Sequence, residues 1–283
     1  MLHIVMDSAG DAPAGWFTEF NIQMIPINIQ FGDKSYLQGV EINDIEFYRM
    51  ADESSIVPKT SQPTPAQFIK FYQRIANPGD TILSIHVTGK LSGTFESAQI
   101  AAREMVDRIK IIPFDSGSGS AAMGYMCREA RLLENTGTAI DAIVERLEYI
   151  RDNIKIVFAL DTLEYARRSG RVRALQAAIA SLLNVKPIID LRDGVLDMCD
   201  RVRTRNRSLD YLIKYMEEKM GTNPVNIAVV HSLDQKSGQS LLERVKERLN
   251  CKDTILTDLS IGIAANLGPG TIGIVAYQPG EGG

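Results

Sequence analysis

The 283-residue sequence is poor in the residues that staple or metallate small domains, with three cysteines, three histidines and one tryptophan. Cys127, Cys199 and Cys251 lie far apart, form no CxxC pair and leave one sulfur over in any disulfide scheme. A disulfide scaffold is therefore not expected, and a reducing cytoplasm is the expected setting. His3, His86 and His231 are equally scattered, and no His/Cys cluster has metal-ligand spacing, so no metal site is expected. No apolar run reaches the roughly 18 residues of a membrane-spanning helix. The opening residues run directly into a strand pattern, LHIVMD, without a basic region or cleavage site, so no secretory signal is expected. There is no excess of positive charge: a net charge of -4 argues against a nucleic-acid binder held by phosphate contacts. Low-complexity segments, internal repeats and ATP-binding motifs are missing as well.

What is present is an ordinary globular composition, 45% hydrophobic, in which short apolar runs alternate with helical patterns. Residues 3–7, 21–31, 81–87 and 109–114 read as strands, and helices fit at 43–52, 64–76, 93–106, 118–135 and 138–152. That alternation predicts an α/β domain with a mostly parallel sheet over residues 1–152. A new series begins with IKIVFAL. VKPIID, GVLDMCDRVR, NIAVVHS, DTILTDL and TIGIVAY read as strands, with helices at 172–183, 206–221 and 235–250. Arg192-Asp193-Gly194 between two extended runs is a hairpin signal. A second, α+β domain is expected over residues 153–283.

The stretch SIHVTGKLSGTFESAQIAA (84–102) carries the clearest chemistry. It reads as a strand end, a loop of small hydroxyls and glycines, and a helix start. Thr88, Ser92 and Thr94 supply hydroxyls, while Gly89 and Gly93 let the backbone approach a ligand closely. A helix N-terminus carries about half a positive charge, so the loop suits a carboxylate or phosphate. A second segment, VPKTSQPTPAQF (57–68), places Thr60 and Ser61 before another helix start, with Thr64, Pro65 and Gln67 forming a capping-box variant. On residues alone both segments fit well-capped turns as readily as a site.

Other motifs point to turns. Gly268-Pro269-Gly270-Thr271-Ile272-Gly273 matches GxGxxG formally, but a strand pattern follows it where a dinucleotide site needs a helix. Asp7, Ser8, Asp11, Asp115 and Ser116 lack the spacing of an aspartyl-phosphate enzyme and suit turn and cap chemistry at strand ends. A hydrolase or phosphotransferase using the hydroxyl loop, with His86 as base, is the alternative reading; a serine nucleophile would need that base within reach. Arg201, Arg203, Arg205 and Arg207 alternate, which on a strand puts all four on one face.

The pairing of KTSQPT with TGKLSGTFESA resembles the DegV family of bacterial fatty-acid-binding proteins. LHIVMDSAGD, IIPFDSGSGSAAMG, the SGRV turn with the following LNVKP, RVRTR and LGPGTIGIV are similar to further family segments, so the resemblance runs from Ile4 to about Val275. It implies the two-domain DegV-like (EDD) fold and one bound long-chain fatty acid, with no cofactor and no intrinsic catalysis. The carboxylate would sit among Thr60, Ser61, Thr88, Gly89 and Ser92, with Arg171 and Asn266 close by. The acyl chain would lie in an apolar tunnel between the halves. Burying about fourteen methylenes at ~0.8 kcal/mol each gives about 11 kcal/mol of gross driving force. The implied partner is a separate fatty-acid kinase that makes an acyl-phosphate for phospholipid metabolism, docking on Arg201, Arg203 and Arg205. The chain departs from the family pattern at Asn266, where a histidine is usual, and at Thr88-Gly89, where two serines are common.

Overall fold

The computed structural model describes residues 1–54, 56–172 and 185–280. The helix expected over 172–183 lies almost wholly outside them. The chain divides into two compact units, Met1–Asp152 and Asn153–Gly283.

In the first unit the order is β1 (Leu2–Asp7), α1 (Ala14–Glu19), β2 (Ile22–Ile25), β3 (Asn28–Phe31), β4 (Lys34–Leu37), α2 (Asp44–Ser54) and β5 (Lys59–Ser61). Then come α3 (Pro65–Ile75), β6 (Thr81–His86), α4 (Thr94–Glu104), β7 (Lys110–Asp115), α5 (Ala121–Asn135) and α6 (Ile140–Asn153). Strands β2-β1-β6-β7 form a four-stranded sheet in which every pair is parallel. β1 is buried along its whole length, and so is β6 after Thr81, as expected of central parallel strands covered on both faces.

α3 begins with the expected capping box: Thr64 accepts from the Gln67 N–H at 3.2 Å, and Gln67 accepts from the Thr64 N–H at 2.8 Å. Its apolar stripe, Phe68, Phe71 and Tyr72, packs with Ala98 and Ala101 of α4 against Val5 and Ile82 of the sheet.

One strand expectation is corrected here. Residues 21–31 do not form a single strand. Pro26 has no N–H to continue a ladder, and the chain leaves the parallel sheet there. β3 then joins a separate antiparallel sheet, β4-β3-β5. That small sheet carries Thr60 and Ser61 on β5, paired with Ile29 and Asn28.

The second unit runs β8 (Lys155–Ala159), α7 (Glu164–Ser169), β9 (Lys186–Arg192), β10 (Val195–Val202), α8 (Arg205–Met220), β11 (Val225–His231), α9 (Gln235–Arg248), β12 (Cys251–Asp258), α10 (Ile261–Leu267) and β13 (Ile272–Tyr277). Its six-stranded mixed sheet has the order β10-β9-β8-β13-β11-β12, with only β11 and β12 parallel. The β9–β10 hairpin turns at Asp193 and Gly194, both at positive φ (49° and 73°), as a type I′ turn requires. Leu209, Leu212 and Met216 of α8 share one apolar cluster with Leu241 and Val245 of α9 and with Val157, Ile227 and Ile274 of the sheet.

The alternating-arginine strand is also corrected. β10 ends at Val202, and Arg205 and Arg207 belong to α8. Thr204 caps that helix by accepting from the Arg207 N–H at 3.3 Å, so the backbone turns before the alternation can place four side chains on one face.

Candidate functional site

Three consecutive strands of the parallel sheet, β1, β6 and β7, end in Asp7, His86 and Asp115. Loops beyond the carboxyl ends of such strands are where open α/β sheets place ligands. Asp7 is fully buried and saturated: Oδ1 accepts from the Ala9 N–H at 2.9 Å, and Oδ2 accepts from the Val87 N–H at 2.9 Å and from His86 Nδ1 at 3.1 Å. Asp115 accepts from the Gly117 N–H at 2.8 Å and the Gly89 N–H at 3.2 Å. Backbone bonds knit the same loops further, Ser116 N–H to His86 O at 3.0 Å and Thr88 N–H to Ser118 O at 2.8 Å. The acids at these strand ends therefore act as turn and cap residues.

The hydroxyl loop follows directly. Thr88 is buried, and its Oγ1 accepts from the Lys90 N–H at 3.3 Å. Gly89 is exposed, and Ser92 is half-buried with its Oγ 2.8 Å from Thr94 Oγ1. The N-cap of α4 is Gly93, which offers no side chain to the first N–H groups of the helix. That leaves the positive end of an eleven-residue helix beside two small hydroxyls.

Gly93 also joins the two hydroxyl segments. A Cβ placed there would lie 2.7 Å from Gln62 Nε2, so the bare backbone makes room for the side chain that follows Ser61. Thr60 and Ser61 are half-buried, and the Asn28 amide holds the bend after them by donating to Gln62 O at 3.2 Å. Thr60, Ser61, Thr88, Gly89 and Ser92 thus all belong to segments that meet in the first unit. The Gly89 N–H is already taken by Asp115.

Arg171 and Asn266 lie in the second unit, on neighbouring elements that follow α7 and form α10. Arg171 Nη1 donates to Ser169 O at 2.6 Å, and Asn266 Nδ2 donates to Gly262 O at 2.8 Å within its own helix. Gly268 (φ 92°) and Gly270 (φ 70°) shape the loop after α10, where a Cβ on Gly270 would come 2.9 Å from Asp161 Cβ. Arg205 holds this loop: Nη1 donates to Gly270 O at 2.9 Å and Nη2 to Asp234 at 2.6 Å. Arg201 and Arg203 are exposed.

Sequence reasoning missed the buried chain behind the hydroxyl loop. Tyr72 OH donates to Ser84 Oγ at 2.9 Å, Ser84 Oγ lies 2.8 Å from His86 Nε2, and His86 Nδ1 reaches Asp7. Burial pushes the Tyr72 phenol well above its ordinary range, which keeps it a neutral donor. A Ser-His-Asp order is present, yet all three side chains are inaccessible, so this serine is not placed to attack a substrate. The alternation of Ser84 and His86 on one strand was the available signal; their partners on β1 and α3 were not visible from spacing. Ser118, also missed, is fully buried, and its Oγ has no hydrogen-bond partner among the described residues. Among the described residues no cluster of three or more His, Cys, Asp or Glu could hold a metal ion, and no helix is long and apolar enough to cross a membrane.

Comparison with known proteins agrees with this architecture. A fatty-acid-binding DegV family protein from Thermus thermophilus superposes with a TM-score of 0.88 at 29% identity, covering 98% of this chain and 99% of its own. DegV from Bacillus subtilis, described as a fatty-acid-binding protein, gives 0.84 at 28% identity, with 98% and 99% covered. A DegV domain-containing protein of Streptomyces coelicolor is 32% identical over 274 residues, 96% of each chain. The model of the DegV family matches residues 1–279, and the chain belongs to that family.

Proposed function

We propose that this protein binds one long-chain fatty acid and presents its carboxylate to a separate fatty-acid kinase. The observation that carries the reading is the meeting of the Thr60–Ser61 and Thr88–Ser92 segments at the glycine-capped N-terminus of α4, through Gln62 against Gly93. An anionic head group taken from water needs several donors, or its desolvation outweighs the gain from the acyl chain. Hydroxyls at Thr60, Ser61, Thr88 and Ser92 and the helix N-terminus supply them, with Gly89 leaving the approach open. Ser118, whose buried hydroxyl has no partner among the described residues, is a further donor beside Thr88.

The protein acts in this reading as a carrier, without turnover of its own. A kinase would supply ATP and the phosphoryl-transfer machinery, and Arg201 and Arg203, both exposed, would provide charge for its docking. Arg205 is a poorer docking residue, since its guanidinium is spent on Gly270 and Asp234.

The test is a reconstituted reaction containing palmitate, ATP, a bacterial fatty-acid kinase and this protein. Acyl-phosphate is expected only when both proteins are present. Ester or phosphoester turnover by this protein alone would overturn the carrier reading in favour of a hydrolase or phosphotransferase.

A further inference from the structure

We propose that the buried chain Tyr72–Ser84–His86–Asp7 is a positioning element that fixes the hydroxyl loop in the geometry that receives a carboxylate. This rests on the fatty-acid reading above. The chain ties together α3, β6 and β1, of which the first two adjoin the hydroxyl segments. Tyr72 belongs to α3, the helix entered from the Thr60–Gln62 segment; Ser84 and His86 end β6, the strand entering the Thr88 loop; Asp7 ends β1. Its last link is Asp7 Oδ2, which binds both the His86 ring and the Val87 N–H, one residue before Thr88. Phe68 packs edge-on against the His86 ring, centroids 5.2 Å apart, so α3 holds the imidazole through packing as well as through the Tyr72 link.

Proton direction makes the chain specific. Asp7 can only accept, so the ring proton of a neutral His86 belongs on Nδ1, Nε2 then accepts from the Ser84 hydroxyl, and the Ser84 oxygen accepts from the Tyr72 hydroxyl. Asp7 accepts everywhere and donates nowhere. An amide in its place would keep the shape but carry one acceptor and one donor: with its oxygen toward His86 and Val87 its NH2 meets the Ala9 N–H, and turned over its NH2 meets both the Val87 N–H and His86 Nδ1. Either way a donor is set against a buried backbone donor, at Ala9 or at Val87. In a buried network such a mismatch is relieved by moving the backbone it holds, here the turn after β1 or Val87 at the start of the loop.

Palmitate and methyl palmitate separate this role from general stability, because they share an acyl chain and differ in the anionic head. Asp7→Asn is expected to weaken palmitate by about tenfold while leaving methyl palmitate within about twofold. Tyr72→Phe keeps the ring packing and removes only the first link; a smaller loss of palmitate alone, about threefold, is expected even if Asp7→Asn does not fold. On the unsubstituted protein, imidazole ¹⁵N shifts are expected to show His86 protonated at Nδ1 and not at Nε2. Equal weakening of both ligands, no weakening of either, or the opposite tautomer would overturn the proposal. Failure of the unsubstituted protein to bind palmitate would instead overturn the fatty-acid reading, and the tautomer would still report whether the chain runs as described.

Discussion

Replacing Ser92 with alanine isolates one donor of the candidate site. In the free protein Ser92 Oγ lies 2.8 Å from Thr94 Oγ1 and accepts from the Thr94 N–H at 3.3 Å. The second bond is long and half-buried, so its loss costs under about 1 kcal/mol of stability. In the complex the hydroxyl would face a carboxylate, and hydrogen bonds to charged groups contribute roughly 1.5–3 kcal/mol. Thr94 Oγ1 can donate to Ser92 Oγ and release the Ser92 proton to the ligand, and fixing the pair in that one arrangement places the expected loss at the low end, about 1.5 kcal/mol or roughly tenfold in Kd. Calorimetric titration with palmitate, beside thermal melts of the same samples, measures both numbers. Ser92→Thr keeps the hydroxyl and is expected to retain most of the affinity. Unchanged palmitate affinity in Ser92→Ala, or an equal loss in Ser92→Thr, would refute the assignment.

Other outcomes follow from the same geometry. Gly124→Ala would drive a Cβ to 2.3 Å from the Asp11 backbone oxygen, and overpacking of that kind is expected to cost about 2–3 kcal/mol in urea unfolding. Arg205→Ala is expected to lower the melting temperature by releasing Gly270 and Asp234, whereas Arg201→Glu with Arg203→Glu should weaken coupling to a kinase. Burial pushes the His231 imidazole below its ordinary pKa, more than Asp258 and Asp234 pull it up. The unfolded chain then binds the proton more readily, so this contribution to stability is full above about pH 6.5 and is lost as pH falls toward the folded value. Urea midpoints between pH 7.5 and 5 should decline, and decline less in His231→Gln.

Much of the architecture was legible because it depends on local rules. The apolar runs of β1 and β6, the Thr64–Gln67 capping box and the Asp193-Gly194 turn each state their structure within a few residues. The failures came where one pattern serves two structures. Alternating arginines look the same along a strand as across a strand end, a capping threonine and a helix start; Thr204 was the residue that decided between them. Residues 21–31 kept a strand pattern through Pro26, and only the lost N–H marked the change of sheet. The hydroxyl residues of the candidate site could be named from their segments. What brings those segments together could not, because Gln62 against Gly93 and Asp7 under His86 and Val87 are separated by many residues and make sense only in three dimensions.

Native mass spectrometry of the purified protein, followed by denaturation and identification of what is released, tests the central claim most directly. One long-chain fatty acid per chain is the expected result, either carried through purification or taken up when palmitate is added. A protein that is empty and also refuses added fatty acids would contradict the account.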